Sequence, residues 1–356
     1  MKGLILSGGK GTRLRPLTFT RAKQLIPIAN KPNLVYVIED LVNAGITDIG
    51  VIISPETGQE IQDSMGDGSQ FGATLTYILQ ETPSGLAHAV KTGREFLGDD
   101  PFVMYLGDNL LNGGIAHLVE EYESGTPDSI ILLTEVPNPE HFGVADVDEH
   151  GKIRKLVEKP KDPPSNLALV GVYLFSSLIH DVIDKLQPSA RGEYEITDAI
   201  QGLVDDGRNV IAHRVRGWWK DTGKPEDLLE ANRLVLSYAA RHLAGEMTNS
   251  HVEGEVVIEA GAKVINSEIR GPVHIASGAV VENTYVGPYT SIGQDACVRN
   301  SELEYSIVFH EANVLDIDRR LDSCVIGQGV TVEGHGDGPR QNIVQMVLGD
   351  FSQVKL

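Results

Sequence analysis

From about residue 250 onward, aliphatic residues recur every six positions, and this period restricts the possible folds more than any other feature of the chain. Glycines separate the repeats, as at Gly261, Gly278, Gly287 and Gly293. A six-residue period is typical of a parallel β-helix, in which each coil buries its aliphatic side chains against the next. The period slips around residues 265–275 and 300–325, so a small irregular β domain is the alternative. The repeating aliphatic residues are Ile258 and Val264, then Val280, Val286, Ile292 and Val298.

The earlier part of the chain alternates between strand and helix patterns. Such alternation predicts a parallel sheet covered by helices, whose ligands bind beyond the carboxyl ends of the strands. Residues 144–173 are richer in strand patterns. The predicted strands are 2–6, 48–53, 75–79, 102–106 and 129–134, and the predicted helices are 33–44, 85–96, 115–123, 196–206 and 225–244.

Charge and composition exclude several classes of protein. The chain has 30 basic and 50 acidic residues, a net charge of −20 that opposes binding to duplex nucleic acid. No apolar run approaches the roughly 18 residues that a membrane span needs, and the apolar run at residues 4–6 is too short for a signal peptide. Two cysteines, Cys297 and Cys324, cannot form a disulfide framework, so we expect a reducing cytoplasmic location.

Against this acidic background, residues 1–38 contain no Asp or Glu at all. Clustered cations on a glycine-rich loop suit a small polyanion such as a nucleoside triphosphate or a sugar phosphate. A solvated basic edge is the alternative. The basic residues of this stretch are Lys2, Lys10, Arg13, Arg15, Arg21, Lys23 and Lys31.

The loop Gly8-Gly9-Lys10-Gly11 directly follows the first predicted strand. Glycines there let backbone N–H groups approach phosphate oxygens without hindrance from a Cβ. The loop does not match G-x-x-x-x-G-K-[ST], and Leu14 stands where a dinucleotide fingerprint has its third glycine. The pattern therefore indicates phosphate binding by neither a Walker loop nor a Rossmann loop.

Together with Lys23-Gln24-Leu25-Ile26-Pro27, this loop resembles the signature of the sugar-1-phosphate nucleotidyltransferases, and the later repeats resemble those of the long-form thymidylyltransferases in that family. The resemblance covers about residues 1–240 in several ordered motifs. These include Gly66-Asp67-Gly68-Ser69, Gly85-Leu86-Ala87, Leu106-Gly107-Asp108-Asn109, Phe142-Gly143-Val144, Glu158-Lys159-Pro160, Ala190-Arg191-Gly192-Glu193 and Trp219-Lys220-Asp221-Thr222-Gly223.

The resemblance implies a Rossmann-like α/β domain with a mixed sheet over residues 1–240. A left-handed parallel β-helix with a C-terminal tail is expected over 241–356. The implied reaction is Mg²⁺-dependent transfer of a thymidylyl group from dTTP to α-D-glucose 1-phosphate, with release of pyrophosphate. Arg13 and Lys23 are the implied charge-stabilising catalytic residues. Asp108 and Asp221 are the implied ligands of Mg²⁺, which takes one or two carboxylates plus substrate oxygens.

The family's substrate-binding residues map onto further positions. For the sugar phosphate, Lys159 and Arg191 are the expected cations. Adjacent side chains of a strand point to opposite faces, so contact of both Glu158 and Lys159 with one ligand requires a twist or bulge. The nucleotide set is Leu6, Gly8, Gly9, Gly11, Thr12, Gln24, Gln80, Pro83 and Gly85, and the sugar-phosphate set is Asn109, Gly143, Glu158, Lys159, Leu169, Tyr173 and Arg191.

Two positions depart from the family pattern: His88 stands where short members have glutamine, and Lys220 replaces an apolar residue. Two other activities stay open, a uridylyltransferase and a bifunctional enzyme whose β-helix acylates an amino-sugar phosphate with His274 or His310 as the base. A regulatory subunit without activity fits the retained motif residues poorly. We expect small-molecule substrates, no nucleic-acid or membrane partner, and a homo-oligomer.

Overall fold

The computed structural model describes residues 1–149, 151–334, 346–350 and 352–355, and the chain forms two compact units. The first unit contains Met1–Gly9 and Leu34–Asp221, and the second contains Lys10–Asn33 and Thr222–Leu356. Residues 10–33, which we call the basic segment, therefore group with the C-terminal repeats. The expected division after residue 240 is a division along the sequence, and it stays a prediction.

The first unit is built on a mixed sheet, which has nine strands in the described part of the chain. Ser129–Glu135 pairs with Leu167–Phe175, and Val210–Arg214 pairs in parallel with Ser129–Glu135. The remaining order across the sheet is Ile153–Glu158, Gly143–Val147, Leu167–Phe175, Phe102–Leu106, Lys2–Leu6, Asp48–Ile53 and Thr74–Leu79.

Four neighbouring strands, from Phe102–Leu106 to Thr74–Leu79, are parallel, whereas Leu167–Phe175 and Gly143–Val147 run antiparallel to their neighbours. The predicted mixed sheet is confirmed. Lys2–Leu6 lies between two parallel partners and is buried along its last four residues, as expected of a central strand covered on both faces.

Helices cover this sheet with their apolar sides. The predicted helix over 85–96 is interrupted at Gly93, where a Cβ would lie 3.0 Å from the Leu4 side chain. The helices of this part of the chain are Asn33–Asn43, Gly58–Met65, Leu86–Thr92, Arg94–Leu97, Ala116–Gly125, Leu178–Ile183 and Ile196–Asp205, with short 3-10 turns at Ser69–Phe71 and Pro139–His141.

The second unit contains a parallel β-helix, the arrangement expected from the six-residue period. Its described strands form three stacked sheets of seven, seven and five strands. One sheet comprises His242–Leu243, Val256–Ile258, Val273–Ile275, Thr290–Ile292, Ile307–Val308, Val325–Ile326 and Val347–Leu348. The second comprises Glu246–Thr248, Lys263–Ile265, Val280–Glu282, Cys297–Arg299, Asn313–Leu315, Thr331–Glu333 and Gln353–Lys355. The third comprises His251–Glu253, Glu268–Arg270, Tyr285–Val286, Glu302–Glu304 and Arg320–Asp322.

The repeat differs from a uniform six-residue period. Ile258, Ile275 and Ile292 are stacked partners at 17-residue intervals, so one of the three steps around each of these coils is a residue short. The prediction that the Val280 side chain points into the core is consequently wrong, because Val281 occupies the core and Val280 is half-buried. This short step explains why the sequence period slips.

Stacked asparagines mark one corner of the β-helix. Asn266, Asn283 and Asn300 all have positive φ angles, of 48°, 51° and 48°. Each donates from its amide to the residue one coil further along, ending at Asp316, over 3.3, 3.0 and 2.6 Å. Asparagine tolerates the left-handed conformation better than most residues, so this ladder fixes the corner at low conformational cost.

Besides the β-helix, the described part of the second unit contains the basic segment and one helix. The basic segment forms 3-10 turns at Thr12–Leu14, Leu17–Phe19 and Lys23–Leu25 and a small ladder of Pro27–Ile28 with Lys31–Pro32. The helix covers Pro225–Leu236, so the prediction that it extends to residue 244 is wrong. His242–Leu243 instead pairs with Val257–Ile258 and begins the first coil.

The structure also bears on the two cysteines and on the possibility of a membrane-spanning helix. Cys297 and Cys324 are both free thiols, and burial raises the pKa of Cys324 to about 11. Among the described residues, none of the helices is long and apolar enough to cross a bilayer.

The asparagine corner yields a stability prediction. We expect Asn283→Ala to lower the free energy of unfolding by about 1–2 kcal/mol, because alanine is strained at positive φ and the amide hydrogen bonds are lost. Asn283→Gly is the matched control, since glycine adopts this φ without a Cβ clash. Urea denaturation of both variants measures the difference, and an alanine variant at least as stable as the glycine variant would contradict the account.

Candidate functional site

The carboxyl ends of the parallel strands meet at one edge of the sheet, and predicted site residues follow three of these strands. Gly8 follows Lys2–Leu6 by two positions, Gln80 directly follows Thr74–Leu79, and Asp108 follows Phe102–Leu106 by two positions. The backbone continues the pairing beyond the strands, since Gly107 N donates to Leu6 O over 3.0 Å. This edge is where ligands of such sheets bind.

Gln80 and Gly8 lie against each other at this edge. A Cβ on Gly8 would be 3.3 Å from the Gln80 amide oxygen, so a larger residue there would press on the glutamine. The Gln80 amide nitrogen lies 2.8 Å from Nδ1 of His88. Burial, assisted by the nearby Lys91, lowers the pKa of His88, which favours a neutral ring that accepts this hydrogen bond. His88 therefore fixes the orientation of the Gln80 amide.

Gly85 follows Gln80 at the start of helix Leu86–Thr92. It has a φ of 105°, and a Cβ there would be 2.4 Å from the Tyr194 carbonyl oxygen, so only glycine fits. Pro83 is exposed on the intervening loop, whereas Leu6 is buried in the sheet. The first unit thus brings Gly8, Gln80 and the Gly85 turn to the same edge.

The two predicted metal ligands come together through a separate small ladder. Asn109–Leu111 pairs with Trp219–Asp221, and this register sets Asp221 opposite Asn109, the neighbour of Asp108. The Asn109 amide donates to Asp108 Oδ1 over 3.2 Å and accepts from the Trp219 indole over 2.7 Å. Asp221 and the residue next to Asp108 are therefore paired across two short strands, although the two carboxylates are far apart in sequence.

The donor set at this ladder suits a hard divalent cation. Asp108 is buried at 6% exposure and Asp221 is half-buried. In the described ranges no cluster of three or more His, Cys, Asp or Glu side chains could enclose a metal. A pair of carboxylates matches Mg²⁺, which completes its octahedron with water and substrate phosphates.

A second group of predicted residues surrounds Gly143. A Cβ at Gly143 would lie 2.7 Å from the Thr197 hydroxyl, 3.0 Å from Glu158 Oε2 and 3.3 Å from Leu169 Cδ1. The Thr197 hydroxyl donates to Glu158 Oε2 over 2.6 Å. Gly143 is therefore packed closely against a carboxylate and an apolar side chain, and any larger residue there would displace Thr197 or Glu158.

Two cations line the same group. Strand Ile153–Glu158 ends at Glu158, and Lys159 adopts a φ of 41°, which breaks the alternation of side chains. The Lys159 ammonium consequently lies 3.6 Å from Glu158 Oε1, and Arg191 Nη1 lies 3.3 Å from that same oxygen. Arg191 also pairs with Glu195 over 3.5 Å.

Burial and the negative charge of Glu158 shift several pKa values in this group. Burial, together with the Glu158 charge, raises the pKa values of Tyr173 and Asp198. Burial and then Glu158 also raise the pKa of Glu195, against the opposing hydrogen bond from Ser189. These shifts place Tyr173 and Glu195 in the electrostatic surroundings of Glu158, and Arg191 and Lys159 balance part of that negative charge.

In the second unit, the basic segment holds the other predicted residues. Gly11 has a φ of 61°, and a Cβ there would be 3.0 Å from the Lys23 Cβ. The Thr18 hydroxyl closes the turn by donating to the Gly11 carbonyl over 2.7 Å. Arg13 and Thr12 are exposed on the first 3-10 turn, and Lys23 is half-buried.

Gln24 is the unusual member of this segment. Its side chain is completely buried, and neither amide atom hydrogen-bonds any atom in the described structure. A buried amide without partners is costly unless a ligand satisfies it. This position fits the sequence-based expectation that Gln24 takes part in binding.

Sequence reasoning missed several contributors. Thr197, Glu195 and Trp219 bind predicted residues directly, yet none had a role assigned to it, although Trp219 stands in the quoted motif that ends in Asp221. A hydroxyl or carboxylate on a helix carries no sequence signal of its own, because its partner is set by packing. His88 was noted only as a departure from the pattern, and its contact with Gln80 explains why the position matters.

Comparison with known proteins gives the family. A family model described as nucleotidyl transferase matches residues 2–237. The chain is 51% identical over 359 residues to the low-salt glycan biosynthesis nucleotidyltransferase Agl11 of Haloferax volcanii, covering 100% of both chains. It is 47% identical over 357 residues to a glucose-1-phosphate thymidylyltransferase of Streptomyces griseus, covering 100% of this chain and 99% of the relative.

A solved structure agrees with these relatives. The crystal structure of a candidate glucose-1-phosphate thymidylyltransferase from Bacillus anthracis, in complex with a sucrose, superimposes with a TM-score of 0.62 at 38% identity. The superimposed region covers 66% of this chain and 94% of the Bacillus anthracis chain. The C-terminal repeats extend beyond the region that the family model matches.

The His88–Gln80 contact yields a prediction about protonation. We expect His88 to have a pKa lowered from that of an ordinary histidine by burial and to carry its proton on Nε2, because Nδ1 accepts from Gln80. Gln80→Glu should raise the His88 pKa, since a carboxylate beside Nδ1 favours the charged ring. Nitrogen-15 NMR of labelled histidine measures both the tautomer and the titration. A proton on Nδ1, or an unchanged pKa in Gln80→Glu, would contradict the assignment.

Proposed function

The chain belongs to the nucleotidyl transferase family and is a nucleotidyltransferase, and we propose that it transfers a thymidylyl group from dTTP to α-D-glucose 1-phosphate. The observation that carries this proposal is the full-length identity of 47% to a relative named glucose-1-phosphate thymidylyltransferase. The products are dTDP-glucose and pyrophosphate.

The proposed chemical step is a direct displacement. A phosphate oxygen of glucose 1-phosphate attacks the α-phosphorus of dTTP, and the bond from that phosphorus to the oxygen bridging to the β-phosphorus breaks. Pyrophosphate leaves with the electron pair of the broken bond. The protein needs no covalent intermediate for this step, so its residues act by positioning the substrates and by stabilising negative charge.

Arg13 and Lys23 are proposed to stabilise the charge that develops on the phosphates. A planar guanidinium can hold two phosphate oxygens, whereas an ammonium acts as a mobile point charge. The exposed position of Arg13 and the packing of the Lys23 stem against Gly11 support these roles. The backbone N–H groups of Gly8, Gly9 and Gly11 are proposed to approach the phosphates directly.

Gln80 is proposed to bind the pyrimidine. A glutamine amide can both donate to and accept from the imide edge of thymine, and His88 holds the Gln80 amide in one orientation. Uracil presents the same edge, so a uridylyltransferase is the closest alternative. The proposed nucleotide set is completed by Leu6, Thr12, Gln24, Pro83 and Gly85.

The group around Gly143 is proposed to bind glucose 1-phosphate. Glu158 and Asn109 would accept hydrogen bonds from sugar hydroxyls, and Leu169 and Tyr173 would form the wall against the ring. Lys159 and Arg191 would contact the phosphate. The close packing of Gly143 against Glu158 and Leu169 and the convergence of both cations on Glu158 support this assignment.

Asp108 and Asp221 are proposed to hold Mg²⁺. A divalent cation bound to them would neutralise phosphate charge and supply Lewis acidity. The paired strands hold these carboxylates in place before substrate binds, and Asn109 orients Asp108 through its amide. The remaining ligands would be phosphate oxygens and water.

The acyltransferase alternative has less support. The ring of His274 already has a partner at each nitrogen, Glu259 Oε1 at 2.8 Å and the Ala29 carbonyl at 3.1 Å. His310 lies 3.4 Å from Arg21 Nη2, and burial followed by the Arg21 charge lowers its pKa. Both histidines thus have contacts with the basic segment.

A pyrophosphate-release screen tests the proposed activity. The intact protein is incubated with Mg²⁺ and every pair of dTTP, UTP, CTP, ATP or GTP with glucose 1-phosphate, galactose 1-phosphate or glucosamine 1-phosphate. The proposal expects the highest kcat/KM for dTTP with glucose 1-phosphate. Preference for UTP would establish the uridylyltransferase instead, and acetylation of an amino-sugar phosphate from acetyl-coenzyme A would establish the second activity.

Replacement of a proposed metal ligand gives a sharper prediction. We expect Asp221→Asn to reduce kcat on the order of 100-fold at fixed Mg²⁺, with partial recovery at higher Mg²⁺, because the cation loses one charged ligand. Asp206→Asn, an exposed position on the same unit, is the control and should keep its activity. Unchanged turnover in Asp221→Asn with an intact circular dichroism spectrum would show that the metal site lies elsewhere.

A further inference from the structure

The basic segment carries two proposed catalytic residues, and within the second unit it contacts the β-helix and helix Pro225–Leu236. Residues 10–33 belong to the same compact unit as the coils that begin at residue 242. Two sets of side-chain contacts join them, one on each side of Lys23 in the sequence.

The first set is centred on Arg21, two residues before Lys23. Its Nε lies 3.7 Å from Asp350 Oδ2, and these two side chains are only 11% and 2% exposed. Its Nη2 donates to the Gln328 amide oxygen and lies 3.4 Å from His310 Nε2. The guanidinium also lies over the Phe309 ring, 5.9 Å from its centroid. One guanidinium is therefore surrounded by partners from successive coils.

Asp350 binds the segment at more than one point. Its Oδ2 accepts from the Thr20 hydroxyl over 2.9 Å, and its Oδ1 accepts from the Gln328 backbone N–H over 3.1 Å. Next to it, a Cβ on Gly349 would lie 2.9 Å from the Pro16 side chain, so backbone and segment are in close contact. Asp350 and its neighbour Gly349, in the last described coils, therefore contact the basic segment between residues 16 and 21.

The second set begins six residues after Lys23. Ala29 and Asn30 have positive φ angles of 47° and 64°, an uncommon conformation that surrounding contacts must hold in place. The Asn30 amide donates to the carbonyls of His274 and Ile292 over 3.2 and 3.0 Å. The Ala29 carbonyl lies 3.1 Å from His274 Nδ1, and its N–H donates to Asn232 over 2.9 Å.

We propose that the β-helix positions the proposed catalytic Lys23 by holding the basic segment on both sides of it, with Arg21 and Asn30 as the positioning residues. Neither residue is assigned a contact with substrate. The inference rests on the proposed function, because it takes Lys23 as a residue that acts on the phosphates. It assigns the C-terminal repeats a direct part in turnover besides any part in assembly.

The expected kinetic signature is a loss in kcat with little change in KM. A loosened segment still lets substrates bind, but Lys23 spends less time in the reactive geometry, and displacement by about 1 Å can cost on the order of 100-fold. We expect Arg21→Gln to lower kcat by roughly 10- to 100-fold, with both KM values changed by less than about threefold. Arg21→Lys keeps the charge but loses the planar guanidinium, so its kcat should lie between those of the wild type and Arg21→Gln.

Three further variants separate positioning from general destabilisation. Asn30→Gly keeps the backbone conformation but removes the second set of amide contacts, and it should also lower kcat. Asp350→Asn should lower kcat as much as Arg21→Gln does. The double variant that combines Arg21→Gln with Asp350→Asn should have a kcat no lower than that of either single variant. Arg320→Gln is the matched control, because Arg320 pairs with Glu302 and Glu304 on the same β-helix. It should keep wild-type kcat.

Amide hydrogen exchange gives a readout that does not depend on activity. Peptides from residues 10–33 should exchange faster in Arg21→Gln and Asn30→Gly than in wild type or Arg320→Gln. If Arg21→Gln proves unfolded, Arg21→Lys and Asn30→Gly carry the same comparison. Wild-type kcat in folded Arg21→Lys and Asn30→Gly, or equal exchange in all variants, would overturn the proposal.

Lys23→Ala distinguishes this failure from failure of the proposed function. If Lys23→Ala abolishes pyrophosphate release while the Arg21 and Asn30 variants remain at wild-type rates, the reaction stands and the positioning role is wrong. If Lys23→Ala keeps full turnover, the proposed catalytic assignment itself is wrong, and the positioning inference falls with it.

Discussion

Parallel pairing of strands in register is the constraint on which both compact units depend. In the first unit it aligns the ends of Lys2–Leu6, Asp48–Ile53, Thr74–Leu79 and Phe102–Leu106 at one edge, so that Gly8, Gln80 and Asp108 emerge there. In the second unit it stacks equivalent residues of successive coils, which sets both the apolar core and the asparagine ladder. Backbone hydrogen bonds between strands thus determine where the candidate site residues and the stacked residues of the coils lie.

The first unit balances charge within each group of candidate residues. Asp221 ends a strand that pairs with Asn109–Leu111, and Asp108 directly precedes that second strand. Among the described residues no cluster of three or more His, Cys, Asp or Glu side chains could hold a metal, so the proposed metal would need substrate or water as further ligands. Beside Glu158, burial and then the Glu158 charge raise the pKa of Glu195, while Lys159 and Arg191 lie close to the Glu158 carboxylate and oppose its charge. A site of this kind suits an anionic sugar phosphate, because the cations are already gathered before it binds.

The basic segment shows that chain order and physical grouping can differ. It follows the first strand directly, and its motif belongs to the region that the family model matches, yet it forms a compact unit with the C-terminal coils. Arg21 and Asn30 find their partners about 250 to 330 residues further along the sequence. The repeats therefore do more than extend the chain, since they supply contacts to a segment whose own regular structure is limited to short 3-10 turns and one small ladder.

The sequence by itself determined the family, the mixed α/β sheet, the β-helix and the candidate residues, because glycine loops, apolar periods and ordered motifs are local patterns. Tertiary structure alone decided the 17-residue coil that puts Val281 rather than Val280 in the core, the end of the helix at Leu236, and the partners of His88 and Arg21. The physical reason is that a period records which residues are apolar, whereas register and side-chain pairing depend on neighbours distant in sequence. Such neighbours are set only when the chain packs.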